Sequence, residues 1–352
     1  MGSFHIILQK AQNSILILIG LVLECMCKKE IIMNFTVLGC GRWGSFIAWY
    51  LDKNHNNVTV WGRKHDNIVN QLFETRTNEY VTFPESIALT HDLELALNAS
   101  EYVVISIGAQ AVRDLMTNVS KIESYKDKKF ILCMKGIEDK TGKRLSEILI
   151  EFGVDPQNIA VWVGPGHIQA FVGGIPSVMI IDSYNPELSE FLAKYLKSDL
   201  IRFYQGQDII GSEIGAAAKN VMGVAAGLLD GVNYQTLKGG LMARGAREVS
   251  RLIKACGGNE LSAYGLCHLG DYEATLFSQY SHNRMWGESF AKNQPFEKLA
   301  EGVATSSAML KLAEQVGVEL PITKTVYDLI HGNIARDQAL KQLFARDNLN
   351  EF

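Results

Sequence analysis

From residue 35 onward, short apolar runs rich in β-branched residues alternate with amphipathic stretches. The runs predict strands over 35–38, 58–61, 102–107, 130–134, 159–163, 178–181 and 201–204, with helices between several of them, such as 45–52 and 142–151. Strands that are nearly all apolar are expected where helices cover both faces of a sheet. Strand–helix alternation of this kind predicts a mostly parallel, doubly wound α/β sheet. After about Gly206 the strand-like runs cease, and helical patterns cover 209–229, 236–256 and 298–316. Gly257-Gly258 supplies a helix stop, because glycine tolerates the left-handed conformation. Pro321 is expected just past another helix end. The expected organisation is a doubly wound domain over 34–208 followed by an all-helical domain over 209–352. The chain shows no internal repeat.

The first 33 residues do not fit this pattern. Residues 14–27 form an apolar run of roughly 14 residues, short of the ~20 that span a bilayer. The run has the length of a signal-peptide core, but no small-x-small cleavage site follows and only Lys10 precedes it. Ile6 stands where a myristoylation signal after Met-Gly wants Ser or Thr. Met33 leads directly into the first strand. The expectation is a dispensable extension or an extended start, with a membrane-associating segment as the alternative.

At 352 residues the chain suits two domains, and 47% hydrophobic with 20% charged residues is an ordinary globular mix. A net charge of −4 argues against nucleic acid as a partner, so any phosphorylated ligand needs a local cationic site. Cys25, Cys27, Cys40, Cys133, Cys256 and Cys267 lack paired CxxC spacing and read as reduced cytoplasmic thiols. No His/Asp/Glu cluster has metal-ligand spacing, and no metal is expected.

Gly39-Cys40-Gly41-Arg42-Trp43-Gly44 is a GxGxxG set between a predicted strand and helix. Gly39 permits the tight turn, Gly41 lets backbone approach a pyrophosphate, and Gly44 lets the helix pack closely. The pyrophosphate then meets unpaired N–H groups and the positive end of the helix dipole. This context predicts a Rossmann-type dinucleotide domain. The second strand ends Trp61-Gly62-Arg63-Lys64, without the carboxylate that usually binds the ribose 2′-hydroxyl. Two cations suit the 2′-phosphate of NADP, while Arg63 stacked on adenine is compatible with NAD.

Three further segments carry candidate chemistry. Lys135 in Cys133-Met134-Lys135-Gly136 stands at the C-terminal end of a predicted strand, where ligands of open α/β sheets bind. A solvated loop charge is the equal alternative. Lys219 is a lone cation in the small-residue helix around Ala216-Ala217-Ala218-Lys219-Asn220. Its bland reading is a lysine at the rim of a central helix. Its functional reading is an amine in a low-dielectric cleft, with a lowered pKa and able to trade protons. The third segment is Leu269-Gly270-Asp271-Tyr272-Glu273-Ala274-Thr275 with Ser281-His282-Asn283-Arg284, where Asp271 is placed to pair with Lys219 and the second run offers donors for a phosphate. A polar helix start explains that run as well.

Taken together these pieces resemble the bacterial NAD(P)-dependent glycerol-3-phosphate dehydrogenases. The shared order, over roughly residues 34–325, is the glycine loop with Trp43, the WGR after strand two, the MKG lysine, GPGH at 164–167, AAAKNV, AGLLDG at 226–231, LGDYEAT, SHNR with Gly287, and Ala300-Glu301-Gly302. The resemblance implies hydride transfer between sn-glycerol 3-phosphate and dihydroxyacetone phosphate, supplying glycerol 3-phosphate for phospholipid synthesis. It implies Lys219 as the general base for the C2 hydroxyl, and a substrate shell of Lys135, Asp271, Thr275, Ser281, His282, Asn283 and Arg284. It implies a cofactor site of Gly39, Gly41, Arg42, Trp43, Gly44, Arg63, Lys64, Lys135, Ile168, His282 and Glu301, and a possible homodimer.

Two departures touch the expected phosphate region. Many members have Ser-Arg-Asn-Arg where this chain has Ser281-His282-Asn283-Arg284, and Gly-Pro-Ser-Phe-Ala where it has Gly164-Pro165-Gly166-His167-Ile168. Histidine is half-neutral near pH 6.5, and Gly166 supplies no hydroxyl. Arg284, or protonated His282, is expected to compensate. Two rival readings stay open: a related two-domain dehydrogenase for an unphosphorylated hydroxy acid, and a catalytically inactive dinucleotide-binding protein.

Overall fold

The computed structural model describes residues 32–298, 300–335, 338–339 and 341. The apolar run over 14–27, with Cys25 and Cys27, lies outside the described residues. Eight strands form one sheet in the order β3-β2-β1-β4-β5-β6-β7-β8. They are β1 (Asn34–Leu38), β2 (Asn57–Trp61), β3 (Ala88–Thr90), β4 (Tyr102–Ile105), β5 (Lys129–Leu132), β6 (Ile159–Val163), β7 (Ser177–Ser183) and β8 (Ile201–Gln205). Pairing is parallel except between β6 and β7, where Trp162 faces Ile181 in an antiparallel register. Central strands are apolar throughout: Val37 pairs with Val60 on one side and Val104 on the other, and all three are fully buried. Helices on both faces exclude water from these strands, which is why their pattern is continuous rather than alternating.

The strand order reverses at β1, so the chain leaves β1 and β4 toward opposite sides and opens a crevice at their C-terminal ends. Helix α1 (Arg42–Lys53) starts there, straight after the glycine loop. The α/β layers continue with α2 (Asn67–Thr75), α3 (Leu93–Asn98), α4 (Val112–Val119), α5 (Leu145–Glu151), α6 (Ile168–Val172) and α7 (Pro186–Tyr195).

Beyond the sheet lies α8 (Ile209–Gly231), buried along almost its whole length, with α9 (Lys238–Ala255), α10 (His282–Ala291), α11 (Glu301–Val316) and α12 (Pro321–Ile330) around it. Small residues let α10 lie directly on α8. A Cβ on Gly227 would collide with the Arg284 carbonyl, and one on Gly287 with the Val224 carbonyl. This contact brings the start of α10 against the middle of α8, where Lys219 and Asn220 sit.

Several expectations are adjusted at this level. β3 was not anticipated, since three residues (Ala-Leu-Thr) are too short to show a period. The 142–151 and 298–316 helices begin later, at Leu145 and Glu301, and a 3₁₀ turn at Gln235–Leu237 precedes α9. Gly257 terminates the α9 region with φ +84°, as its position predicted. Pro321 follows the end of α11 at Val316, as expected, and also opens α12, where its missing N–H costs nothing in a first turn.

Candidate functional site

A cavity of about 880 Å³ occupies the crevice, walled on one side by loops after β1, β2, β4, β5 and β6 and on the other by α8 and the start of α10. Its floor is the glycine loop. Gly39 has φ +106°, and a Cβ there would strike the Ser106 carbonyl oxygen. A Cβ on Gly44 would overlap the Gly39 carbonyl, so this glycine lets α1 begin against the loop itself. Gly41, the N-cap of α1, meets no heavy atom within 4 Å of its Cβ position and lies on the cavity wall. An open glycine at a helix N-terminus is the donor set a pyrophosphate requires, so the loop fits a dinucleotide.

Trp43 also lines the cavity, with the Lys135 ammonium 5.5 Å from its ring centroid. At the outer end Arg63 is exposed, and its guanidinium lies 3.4 Å from Asp66 Oδ2. Asp66 caps α2 by accepting from the Ile68 and Val69 N–H groups, and it lines the cavity too. A carboxylate is therefore present at this end, five residues past the strand rather than at its tip. Lys64 is exposed and lies outside the lining, as do Gly44 and the buried Ile168.

The inner end holds the titratable cluster. Lys219 projects from α8 and is 8% exposed. Its ammonium donates to Asp271 Oδ2 at 2.6 Å and to Thr275 Oγ1 at 2.9 Å. Lys135 reaches the same carboxylate oxygen at 2.8 Å and the Gly164 carbonyl at 2.7 Å. Burial pulls the Lys219 pKa down to about 7, against the opposing pull of Asp271 and with help from Lys135. Asp271 is fully buried and lies behind the two amines, outside the cavity wall. It holds the lysines in place and does not present itself to a ligand.

Asn220, the neighbour of Lys219, locks three elements together. Its amide donates to the Lys135 carbonyl at 2.8 Å and its oxygen accepts from Asn283 at 3.0 Å. Asn283 in turn accepts from the Gly302 N–H at 2.9 Å, which fixes the start of α11 and with it Glu301 on the cavity wall. Loss of surrounding water pushes the Glu301 carboxyl up from its ordinary range.

Ser281 caps α10 by accepting from the Arg284 N–H at 3.3 Å, and Ser281, His282 and Asn283 all line the cavity. Arg284 does not. Its guanidinium bonds Asp230 Oδ2 at 2.8 Å, Glu288 Oε2 at 3.0 Å and the Ser278 carbonyl at 3.1 Å. The geometry therefore removes Arg284 as the cation that compensates for His282. Gly166 also has a structural explanation: it sits at φ +153°, and a Cβ there would collide with the Phe171 ring.

The sequence reading passed over Asp66, Asn220, His167 and Tyr280, all of which line the cavity. Asn220 and His167 stood inside quoted motifs; Asp66 and Tyr280 carried no local signal.

Residues 34–189 match the family described as NAD-dependent glycerol-3-phosphate dehydrogenase N-terminus, and residues 208–341 match the corresponding C-terminus. A glycerol-3-phosphate dehydrogenase [NAD(P)+] of Prosthecochloris aestuarii is 33% identical over 329 residues, covering 90% of this chain and 98% of that protein. A Bacillus pumilus protein of the same name is 32% identical, covering 90% and 96%. The crystal structure of glycerol-3-phosphate dehydrogenase from Coxiella burnetii superimposes with a TM-score of 0.83 at 25% identity, over 90% of this chain and 99% of that one. D-mandelate dehydrogenase with NADH shares the fold at a TM-score of 0.58 and 15% identity. A glycine loop and a buried lysine pair facing one cavity, and both family halves in order along one chain, lead to the same place: the chain belongs to the NAD-dependent glycerol-3-phosphate dehydrogenase family.

Proposed function

We propose that this chain interconverts sn-glycerol 3-phosphate and dihydroxyacetone phosphate using NAD or NADP, with residues 34–208 holding the dinucleotide and residues 209–352 supplying the proton-transfer group. The observation that carries the reading is the Lys219 amine, buried between Asp271 and Thr275 and facing the cavity that the glycine loop floors. When bound, the nicotinamide exchanges the hydride with C2 of the substrate.

Lys219 accepts the C2 hydroxyl proton on oxidation and returns it on reduction. A pKa of about 7 leaves both forms populated near neutral pH, which is where a general acid–base group works best. Asp271 and Thr275 fix the amine's direction, and Lys135 stabilises negative charge developing on the C2 oxygen. The substrate phosphate goes to the start of α10, where Ser281, His282 and Asn283 border the cavity and the helix dipole favours an anion. Arg63 and Asp66 together make the adenosine end ambivalent, the cation suiting a 2′-phosphate and the carboxylate a 2′-hydroxyl.

The reading includes a cytoplasmic homodimer that supplies glycerol 3-phosphate for phospholipid synthesis, as the family resemblance implies, with no nucleic-acid partner. Among the described residues no helix is long and apolar enough to cross a membrane.

The test is loss of nicotinamide absorbance when dihydroxyacetone phosphate is added, run with NADH and with NADPH. Lys219→Ala is expected to lower kcat by about 10²–10⁴-fold while cofactor binding persists. Protein that binds a cofactor yet turns over no triose phosphate would sink the proposal.

A further inference from the structure

The loop that carries Lys135 grips α8 at two points. It leaves β5, folds back through an antiparallel bridge between Ile137 and Arg144, and closes with the Glu138 N–H on the Lys143 carbonyl at 2.9 Å. Its first foot is Lys135, whose carbonyl accepts from Asn220 of α8 at 2.8 Å. Its second foot is Arg144, at the start of α5, whose guanidinium donates to Glu213 Oε2 of α8 at 2.7 Å and to the Tyr184 hydroxyl at 3.1 Å. The other Glu213 oxygen accepts from the Ser146 N–H at 2.9 Å, so a carboxylate from α8 satisfies an open donor in the first turn of α5.

Burial and spacing set this second foot apart from a surface ion pair. Arg144 and Glu213 are 7% and 6% exposed. Positions 213 and 220 are seven residues apart in the chain, which at about 100° each is close to two full turns, so both feet stand on one face of α8, about 10 Å apart. Lys219 adjoins the first of them. Ile137, between the feet, belongs to the same apolar core as Ile214 and Ala218 of α8, but apolar packing has no direction and lets a loop slide. A charge-assisted bond of fixed reach does not. The tip of the loop is held separately, by Arg113 on Glu138 at 2.7 Å and by Gln315 on the Thr141 carbonyl at 2.9 Å, and Asp182 ties Ser212 of α8 to β7 at 2.9 Å. Docking of the elements thus has other supports, and what the Arg144–Glu213 pair adds is register.

We propose that Arg144 and Glu213 are positioning residues that set the height of Lys135 along α8, and so the spacing of the two amines that serve the substrate; the assignment rests on the function proposed above. Neither side chain lines the cavity, so each acts through Lys135. The spacing matters because both amines share Asp271 Oδ2, at 2.8 and 2.6 Å. Burial lowers the Lys219 pKa, Asp271 raises it and Lys135 lowers it again, giving about 7. A loop released at Arg144 lets Lys135 drift, which weakens its repulsion of Lys219 and leaves more of Asp271 to that amine. Both changes raise the Lys219 pKa, and stabilisation of charge on the C2 oxygen is lost with them.

The experiment measures thermal unfolding, cofactor affinity and reduction kinetics from about pH 5 to 9 in the wild type, Arg144→Met/Glu213→Leu and Glu213→Gln. The double variant removes both charges together, an exchange that often leaves stability unchanged, whereas Glu213→Gln keeps the shape and an acceptor for the Ser146 N–H. In the double variant kcat on dihydroxyacetone phosphate should fall about tenfold or more, the loss expected of an ångström-scale misplacement, while the dinucleotide Kd stays within about threefold of wild type. The pH at which kcat/KM begins to fall, about 7 in the wild type, should move up by about half a unit or more. Glu213→Gln should move both readouts the same way, with about a threefold loss in kcat. Variants that keep wild-type kcat and inflection, or that lose activity with the inflection unmoved, would show a merely structural role and overturn the assignment. Absence of turnover on dihydroxyacetone phosphate in the wild type would strike the proposed function instead, so the two failures are distinct.

Discussion

Replacing Asp271 with asparagine keeps the side-chain shape and removes the negative charge that Lys135 and Lys219 share at 2.8 and 2.6 Å. In the wild type, burial lowers the Lys219 pKa, Asp271 raises it again, and the balance settles at about 7. A unit charge about 4 Å away is worth about 4 kcal/mol at an effective dielectric of about 20, or roughly three pKa units at 1.36 kcal/mol each. Allowing for water and side-chain relaxation, the asparagine variant should place Lys219 about two units lower, near 5. Proton transfer then changes in a calculable way. With a Brønsted coefficient near one half, a base weaker by about two units accepts a proton about tenfold more slowly. The equilibrium between alcohol and ketone at a given pH is a property of the solution, so both directions must slow by the same factor. What distinguishes the mechanism is the pH profile. In the reduction direction, wild-type kcat/KM should be level below about pH 7 and fall tenfold per unit above it, because the protonated amine is required. In Asp271→Asn the fall should begin about two units earlier. Steady-state kinetics from pH 4.5 to 9 in both variants reads this directly. An inflection left unmoved near pH 7 would refute the coupling, because the titrating group would then not sense Asp271.

Other consequences follow from single contacts. Asp66→Asn removes the carboxylate beside Arg63 while its amide oxygen still caps α2, so the ratio of kcat/KM for NADPH over NADH should rise about tenfold; an unchanged ratio would mean the pair does not meet the ribose. His268 is fully buried between the Gly215 carbonyl and the Tyr272 hydroxyl, and burial lowers its pKa from 6.5 to about 4. The unfolded chain therefore takes up a proton below about pH 6.5 that the folded chain refuses until about pH 4. The associated stability is fully present above pH 6.5 and is lost across that window, amounting to about 3 kcal/mol. Urea unfolding at pH 7.5 and 4.5 should show this loss, with His167 adding a second proton, and His268→Gln should flatten the dependence by about one proton.

The parts of this molecule that were legible in the chain are those whose signal is local. Valines and isoleucines in unbroken runs announce strands covered on both faces, and a glycine loop between such a run and a helix announces what the loop can hold. Lys135 and Lys219 were legible for the same reason, each being a lone cation in an apolar stretch that has to point somewhere useful or pay for its burial. Arg284 shows where this logic stops. Within Ser281-His282-Asn283-Arg284 every member reads as an anion donor, but successive helical positions turn by about 100°. Ser281, His282 and Asn283 reach the cavity, while Arg284 turns to Asp230, 54 residues away in the chain. No spacing rule carries that partner. Asp271 was misplaced in a related way, since its pairing with a lysine was foreseen but its depth was not. It serves two amines at once and so sits behind them. His167 is the converse case: it lines the cavity from the turn after β6, yet within Gly164-Pro165-Gly166-His167 nothing local marks it as more than a loop residue. Gly166 beside it shows why: at φ +153°, with no room for a Cβ against the Phe171 ring, the turn is set by a residue five positions on and not by any pattern that the loop itself carries.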